Sequence, residues 1–363
     1  MKEAYHEIES LEELAECESF EHKAFQGIDF TLMPDAFKGW PFRDCLFLGC
    51  VIPPEMKESL HDDCLVFPRL NMPFFAYPNH LYNCHELYKG FDPDNEDSFE
   101  TCYDTMVYRH YISRGKQSDD IRETLARSIH DHSITDALYD FLAGYDEKDV
   151  LAVMGGHALS RTDINYRNVA MISKALTEKG KLMVSGGGPG AMEAVHLGAW
   201  MAGRSMKEFE DALAIIAPAP SFRDRHWLSL AFKVIRKYPQ EKYHSLGIPT
   251  WFYGHEPASP FATHIAKYFD NSIREDGILT IAKGGIIYSP GSAGTLQEIF
   301  QDAAQNHYET FGYASPMVFL GEKYYTEDIP VYPLLQDLMA KGRYKNLILS
   351  MTDDIHTVVN TLS

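Results

Sequence analysis

The sequence predicts an α/β protein: a doubly wound, mostly parallel sheet with helices on both faces, preceded by a smaller, irregular α+β region. Three observations predict it. From residue 149 onward, short apolar runs bounded by Gly or Pro alternate with amphipathic stretches of helical period. These runs are continuously apolar, as strands covered on both faces are. Glycine clusters (Gly155-Gly156, Gly186-Gly187-Gly188 and Gly291) fall where runs end and helical stretches begin. That is the edge at which open α/β sheets bind ligands.

The elements follow in order. Residues 1–148 are aromatic, irregular and rich in cysteine and proline up to about residue 115, with strand-like runs such as FRDCLFLGCVI and DCLVFPRL that recur without a fixed period. Helical stretches follow, SDDIRETLARSIHDH and SITDALYDFLAGY, with Ile121, Leu125 and Ile129 on one face and Ser118 and Ser133 as expected N-caps. Residues 149–363 form the expected ligand-binding domain. Its expected strands are DVLAVMGG, KLMVSGGG, ALAIIAPAP, PTWFYGH, GIIYSPG, PMVFLG and NLILSM.

Composition narrows the function. The chain has 363 residues, enough for two domains, and 33 basic against 52 acidic side chains give a net charge of −19. A field of that sign repels phosphate backbones, so nucleic-acid polymers are expected to be poor partners. A small anion stays compatible where amides and a few arginines offset the charge locally. Apolar residues make up 45% without any run of membrane-spanning length. The acidic opening MKEAYHEIESLEELAECESF is neither a signal nor a transit sequence, which reads as cytoplasmic. All six cysteines lie within the first 102 residues. Nothing in the sequence suggests secretion, so reduced core thiols are the expectation, and His61, Cys64, Cys84 and His85 include no CxxC pair to anchor zinc.

Two glycine-rich turns carry the chemistry. In SGGGPGAMEA (185–194), Gly186, Gly188 and Ala191 match the G-x-G-x-x-A dinucleotide pattern. An NAD site also needs an acid at the end of the next strand, and the expected strand ends IIAPAP. An anion-accommodating turn fits better. In YSPGSAGTLQEIF (288–300), Thr295 and Glu298 have the spacing of a capping box. Pro290, Gly291, Ser292, Ala293 and Gly294 precede it at a strand end, so free amides beside a helix N-terminus would attract a phosphate or carboxylate. The helix dipole would keep Glu298 ionised. SFRDRHW supplies Arg223, Arg225 and His226 at another helix start, as phosphate or base contacts or as a solvated first turn.

GGGPGAMEA followed by PGSAGTLQE resembles the Lonely Guy (LOG) family, whose signatures are GGGxxGxM and PGGxGTxxE, over roughly residues 149–325. The resemblance implies a Rossmann-like domain that hydrolyses the N-glycosidic bond of a nucleoside 5′-monophosphate to free base and ribose 5-phosphate, with no metal or redox cofactor. It implies a homodimer or larger assembly. It makes Glu298 and Arg274 the catalytic pair. Gly155, Gly156 and Arg161 would form a first nucleotide-binding loop, and Gly186, Gly187, Gly188, Gly190, Met192 and Glu193 a second. Gly291, Ser292, Gly294 and Thr295 would hold the phosphate. Ser292 stands where the family has glycine, a handicap if that position needs positive φ. This departure suggests the alternative of a nucleotide-sensing protein with negligible turnover. A pyridoxal-phosphate decarboxylase would need a Schiff-base lysine, for which Lys283 is the candidate.

Overall fold

The computed structural model describes residues 4–33, 39–254 and 256–363. They divide into two compact units: residues up to Leu81 with His110–Phe141, and Tyr82–Arg109 with Leu142–Ser363. The expected boundary at 148/149 is therefore corrected, since residues 82–109 belong with the larger unit. Buried polar bonds explain why. The Asp104 carboxylate accepts from Lys267 Nζ at 2.6 Å and from Trp251 Nε1 at 2.8 Å. The backbone of Tyr82 exchanges two hydrogen bonds with Ile265, adding an antiparallel bridge at the sheet edge.

The first unit contains four parallel strands in sequential order: β1 (His6–Ile8), followed by helix α1 (Leu11–Glu16), then β2 (Lys23–Gln26), β3 (Leu46–Leu48) and β4 (Leu65–Phe67). Parallel neighbours in sequential order make a coil whose turns stack on one another. Ile8, Phe25, Phe47 and Val66 share one register column. Inside it the rings of Phe25 and Phe47 stack at 5.0 Å, flanked by Phe20, Phe30 and Phe42. The turns differ in length, so the repeat escapes a search for a fixed period.

Helices α2 (Cys84–Leu87) and α3 (Tyr103–Arg114) precede one long helix, α4 (Ile121–Leu142). Two expectations fail on α4. Ser133 is buried in mid-helix and caps nothing, while Asp120, not Ser118, accepts the Arg122 amide at the start. Ile121 and Leu125 face outward, 83% and 52% exposed. The buried face instead carries Glu123 between His110 and Arg127 at 2.8 Å each. Charges satisfied by partners can occupy an interior that hydrophobic periodicity assigns to aliphatics.

The second unit is the doubly wound α/β domain, a parallel sheet with helices on both sides. In chain order it runs β5 (Val150–Met154), α5 (Ile164–Glu178), β6 (Leu182–Ser185), α6 (Ala191–Trp200), α7 (Met206–Ile216), α8 (Trp227–Lys237), β7 (Ser245–Gly247), β8 (His264–Ile265), α9 (Asn271–Ile281), β9 (Gly285–Tyr288), α10 (Ala293–Tyr308), β10 (Pro316–Leu320), α11 (Val331–Ala340), β11 (Ile348–Thr352) and α12 (Ile355–Thr361). The strand order is β11-β10-β9-β5-β6-β7-β8. Winding reverses between β5 and β9, so a crevice opens at their carboxyl ends.

Two expected strands are corrected. ALAIIAPAP completes α7, which opens with a Ser205–Glu208 capping box and buries Phe209, Ala212, Leu213 and Ile216 on one helical face. PTWFYGH makes a single bridge, Thr250 to Tyr268, and the strand lies upstream as β7. Among the described residues no helix is long and apolar enough to cross a membrane.

Candidate functional site

A cavity of about 450 Å³ lies at the reversal point, over the ends of β5, β6 and β9. It is lined by Gly155, Gly156 and His157 after β5, Gly186 and Met192 after β6, Arg274 and Glu275 of α9, and Ser292–Thr295, Gln297 and Glu298 at the start of α10, with Tyr253 and Glu256 at its side. That volume suits a small-molecule ligand.

The turn from β9 into α10 is shaped by close approach. A Cβ on Gly291 would collide with the Thr295 hydroxyl, and Gly156 N donates to Pro290 O at 3.2 Å, tying the first glycine loop to this one. Two tyrosines clamp the turn from behind: Tyr325 donates to Ser289 O at 2.9 Å and Tyr324 to Gly291 O. They stand on a short π-helical turn, Tyr324–Asp328, after β10. Sequence reasoning missed them; their place just past a strand end was the available signal.

Ser292 is the N-cap of α10, and its side chain makes no capping bond. The first amides of a helix lack intrahelical partners, so this end faces the cavity uncapped, with the positive end of the dipole behind it. The capping-box expectation is overturned: Thr295 is the third helical residue, buried, and does not cap. Ser292 has φ −127°, an extended conformation any residue adopts, so the serine carries no backbone strain.

Glu298 also departs from expectation. The dipole was expected to keep it ionised, yet burial pushes its carboxyl up to about 7, with Arg274 opposing the shift and Glu275 adding to it. Glu298 sits in the second turn, where the dipole has faded, and the cost of stripping water from the charge prevails. Asp302, one turn on, is likewise raised to about 7 by burial and accepts the Tyr288 hydroxyl at 2.6 Å.

Arg274 lies on α9, the helix feeding β9, and lines the same cavity as Glu298. Its Nε donates to Ile248 O at 3.1 Å. The guanidinium lies where a Cβ on Gly186 would be, so the absent side chain at 186 makes room for it. Glu275 beside it anchors the rim: Gln297 Nε2 donates to it at 3.0 Å, and so does the Tyr253 hydroxyl at 3.2 Å. Tyr253 is 56% exposed and is the aromatic side chain in the lining.

Other predicted residues lie behind the lining. Arg161 and Glu193 are buried partners in a bidentate pair, with Tyr166 donating to Glu193 at 3.0 Å and the guanidinium 4.7 Å from the centre of the Trp227 ring. They hold the first loop to α6 and do not line the cavity. Their expected role as direct nucleotide contacts is corrected, because the pair satisfies itself in the core. Gly187, Gly188 and Gly190 form the bend above His196, which bridges Ser185 Oγ at 2.8 Å and Ser245 Oγ at 3.0 Å. Burial lowers His196 to about 3, so the bridge is neutral.

Arg223 and Arg225 line a different depression with Glu96, Asp97 and Glu100. Lys283 is paired with Glu147 at 2.6 Å just before β9 begins, at the end of the sheet opposite the cavity. The strand after the second glycine loop is β7, followed by Ile248 and Pro249, again with no acid for a ribose. The described residues hold one cluster of metal-ligand spacing, Glu7 with Asp136 and Asp140 in the first unit.

No family model and no curated protein matches this chain. Among solved structures it is similar to the molybdenum cofactor binding protein from the phototrophic bacterium Rippkaea orientalis, at 14% identity and TM-score 0.35, covering 57% of this chain and 92% of that one. It is also similar to the protein TM1055, at 16% identity and TM-score 0.37, covering 58% of this chain and 96% of that one.

Proposed function

We propose that the cavity binds a nucleoside 5′-monophosphate and that the protein hydrolyses its N-glycosidic bond, releasing free base and ribose 5-phosphate. The observation that carries this reading is the convergence of Arg274, Glu298 and the uncapped start of α10 on one cavity at the sheet's reversal point. The 5′-phosphate docks on the amides of Ala293 and Gly294, where the dipole offsets a chain charge of −19. Arg274 steadies phosphate or ribose. The exposed ring of Tyr253 offers the base a stacking face. The ionised Glu298 stabilises positive charge as it develops on the ribose and orients the attacking water. The resemblance of the two glycine motifs to the LOG family supports the same reading. The extended backbone at Ser292 means that the serine brings no backbone strain to this turn.

Comparing AMP, adenosine and ATP at equal concentration, with free base as the readout, tests the proposal. AMP should be cleaved far better than either, since phosphate binding positions the ribose and the turn is sized for one phosphate. Equal cleavage of AMP and adenosine would remove the phosphate from this turn and the mechanism with it.

A further inference from the structure

The start of α10 and the Arg274–Glu298 pair leave one side of the cavity without a role. A chain of contacts leads to it. A Cβ built on Gly186 would lie 2.6 Å from Met192 Sδ and closer still to the Arg274 guanidinium, so those two groups are neighbours. A Cβ built on Gly188 would lie 2.9 Å from Met192 Cε and 3.6 Å from Glu256 Oε2. The end of the Met192 side chain thus runs from Arg274 toward Glu256, and the two glycines make room for it.

Glu256 is the unengaged carboxylate of this lining. Glu275 accepts from Gln297 and Tyr253, and Glu298 feels the charge of Arg274. Among the described residues no hydrogen bond reaches the Glu256 carboxylate, although its side chain is only 31% exposed. Its Oε1 faces His157 Nδ1 at 3.7 Å, and the His157 ring packs edge-on against Phe222 at 6.5 Å. Its Oε2 is turned toward Gly188 and Met192. A carboxylate so placed, largely stripped of water and with lone pairs to spare, calls for donors from a ligand.

We infer that Glu256 reads the base and selects guanine, an inference that rests on the nucleotide reading of the cavity. With the phosphate on Ala293 and Gly294 and the anomeric carbon at Glu298, the base runs along Met192. Its flat face meets the polarizable thioether, and its far edge turns to Glu256. A carboxylate only accepts. Guanine brings two adjacent donors to that edge, N1–H and the 2-amino group, which match the two oxygens as a bidentate, charge-assisted pair. Hypoxanthine keeps N1–H and lacks the amino group. Adenine and cytosine each set a bare ring nitrogen beside their amino group, so a lone pair meets the carboxylate. Uracil flanks its single N–H with carbonyls. A site built to bond a donor rejects the analogue without it, because its own buried polar atom is left unpaired.

Values of kcat/KM for base release from GMP, IMP and AMP test this. GMP should lead AMP by roughly tenfold or more, the discrimination of one bidentate pair, with IMP between them. Glu256→Gln should level or reverse that order, because an amide offers an N–H to adenine N1 and a C=O to its amino group. Glu256→Ala should lose the lead of GMP with no gain for AMP. Equal values for the three nucleotides, or a lead for AMP, overturn the inference and leave the hydrolase reading in place. A preference for GMP that both variants keep, with the circular dichroism of the wild type, overturns the role of Glu256. Release of no base from any nucleotide overturns the hydrolase reading instead. Titration calorimetry with GMP and AMP then decides the base choice by itself: GMP should bind roughly tenfold more tightly and lose that lead in Glu256→Gln, and equal affinities overturn it.

Discussion

At the scale of single residues, Glu298 shows how competing effects decide a site. A helix start favours its charge, burial disfavours it, and burial wins because the side chain stands beyond the first turn. The proposed chemistry uses the ionised form, so turnover should rise with pH through about 7 and level off above it. Glu298→Gln should lower turnover by roughly a hundredfold or more and abolish that pH dependence, while AMP affinity stays near wild type. A pH–rate profile of both proteins checks this, and an unchanged rate in the variant would reduce Glu298 to packing. Stability carries the same sign. A carboxyl raised in the folded state contributes stability fully below its ordinary value of 4.5, and that contribution is lost as pH rises through about 7. The melting temperature of Glu298→Gln should therefore gain on the wild type as pH increases. Arg274→Ala should impair turnover even at saturating nucleotide. Arg223→Ala should leave it unchanged, because Arg223 lines a separate depression. Measuring kcat for both separates the two positions.

At the scale of elements, the turn between β9 and α10 behaves as one part. Its glycines are not equivalent. Gly291→Ala drives a methyl into the Thr295 hydroxyl and should cost about 1–3 kcal/mol as well as phosphate affinity. Gly294→Ala meets nothing within 4 Å and should be nearly silent in stability. Urea melts and ribose 5-phosphate titration of the two variants give the comparison. Motif spacing marks both as glycine, and only the packing around them ranks them. The same lesson holds for α7, where ALAII is as apolar as a buried strand. What makes it helical is the cap at Ser205 and the burial of Phe209, Ala212, Leu213 and Ile216 on one face.

At the scale of the molecule, residues 82–109 are bound to the α/β domain by a buried charge. Lys267 is 1% exposed and Asp104 6%, and Trp251 supplies the second donor to the carboxylate. Lys267→Met leaves that carboxylate buried with its cation gone and should cost about 3–5 kcal/mol. Adding Asp104→Leu should recover part of the loss, because neither charge then stays unpaired. Thermal melts of wild type, single and double variants measure the coupling. No sequence pattern joins positions 163 residues apart, which is why the boundary read from texture fell at 148/149 rather than around this segment.

What the sequence by itself determined is whatever rests on local pattern. Continuous apolar runs with glycine at their ends specify parallel strands and the edge at which they open. GGGPGAMEA and PGSAGTLQE mark the two turns that meet there, and the resemblance of those motifs to the LOG family pointed to Arg274 and Glu298, which line one cavity. What only the tertiary structure decided depends on neighbours remote in the chain. The ion pair that keeps Arg161 and Glu193 out of the cavity is of this kind, as are the tyrosine clamp behind Gly291 and the inward polar face of α4. So is the coil of β1–β4, whose turns pair in register despite unequal lengths. Burial and pairing are properties of the assembled fold, and they reset a side chain's charge and role after local pattern has placed its backbone.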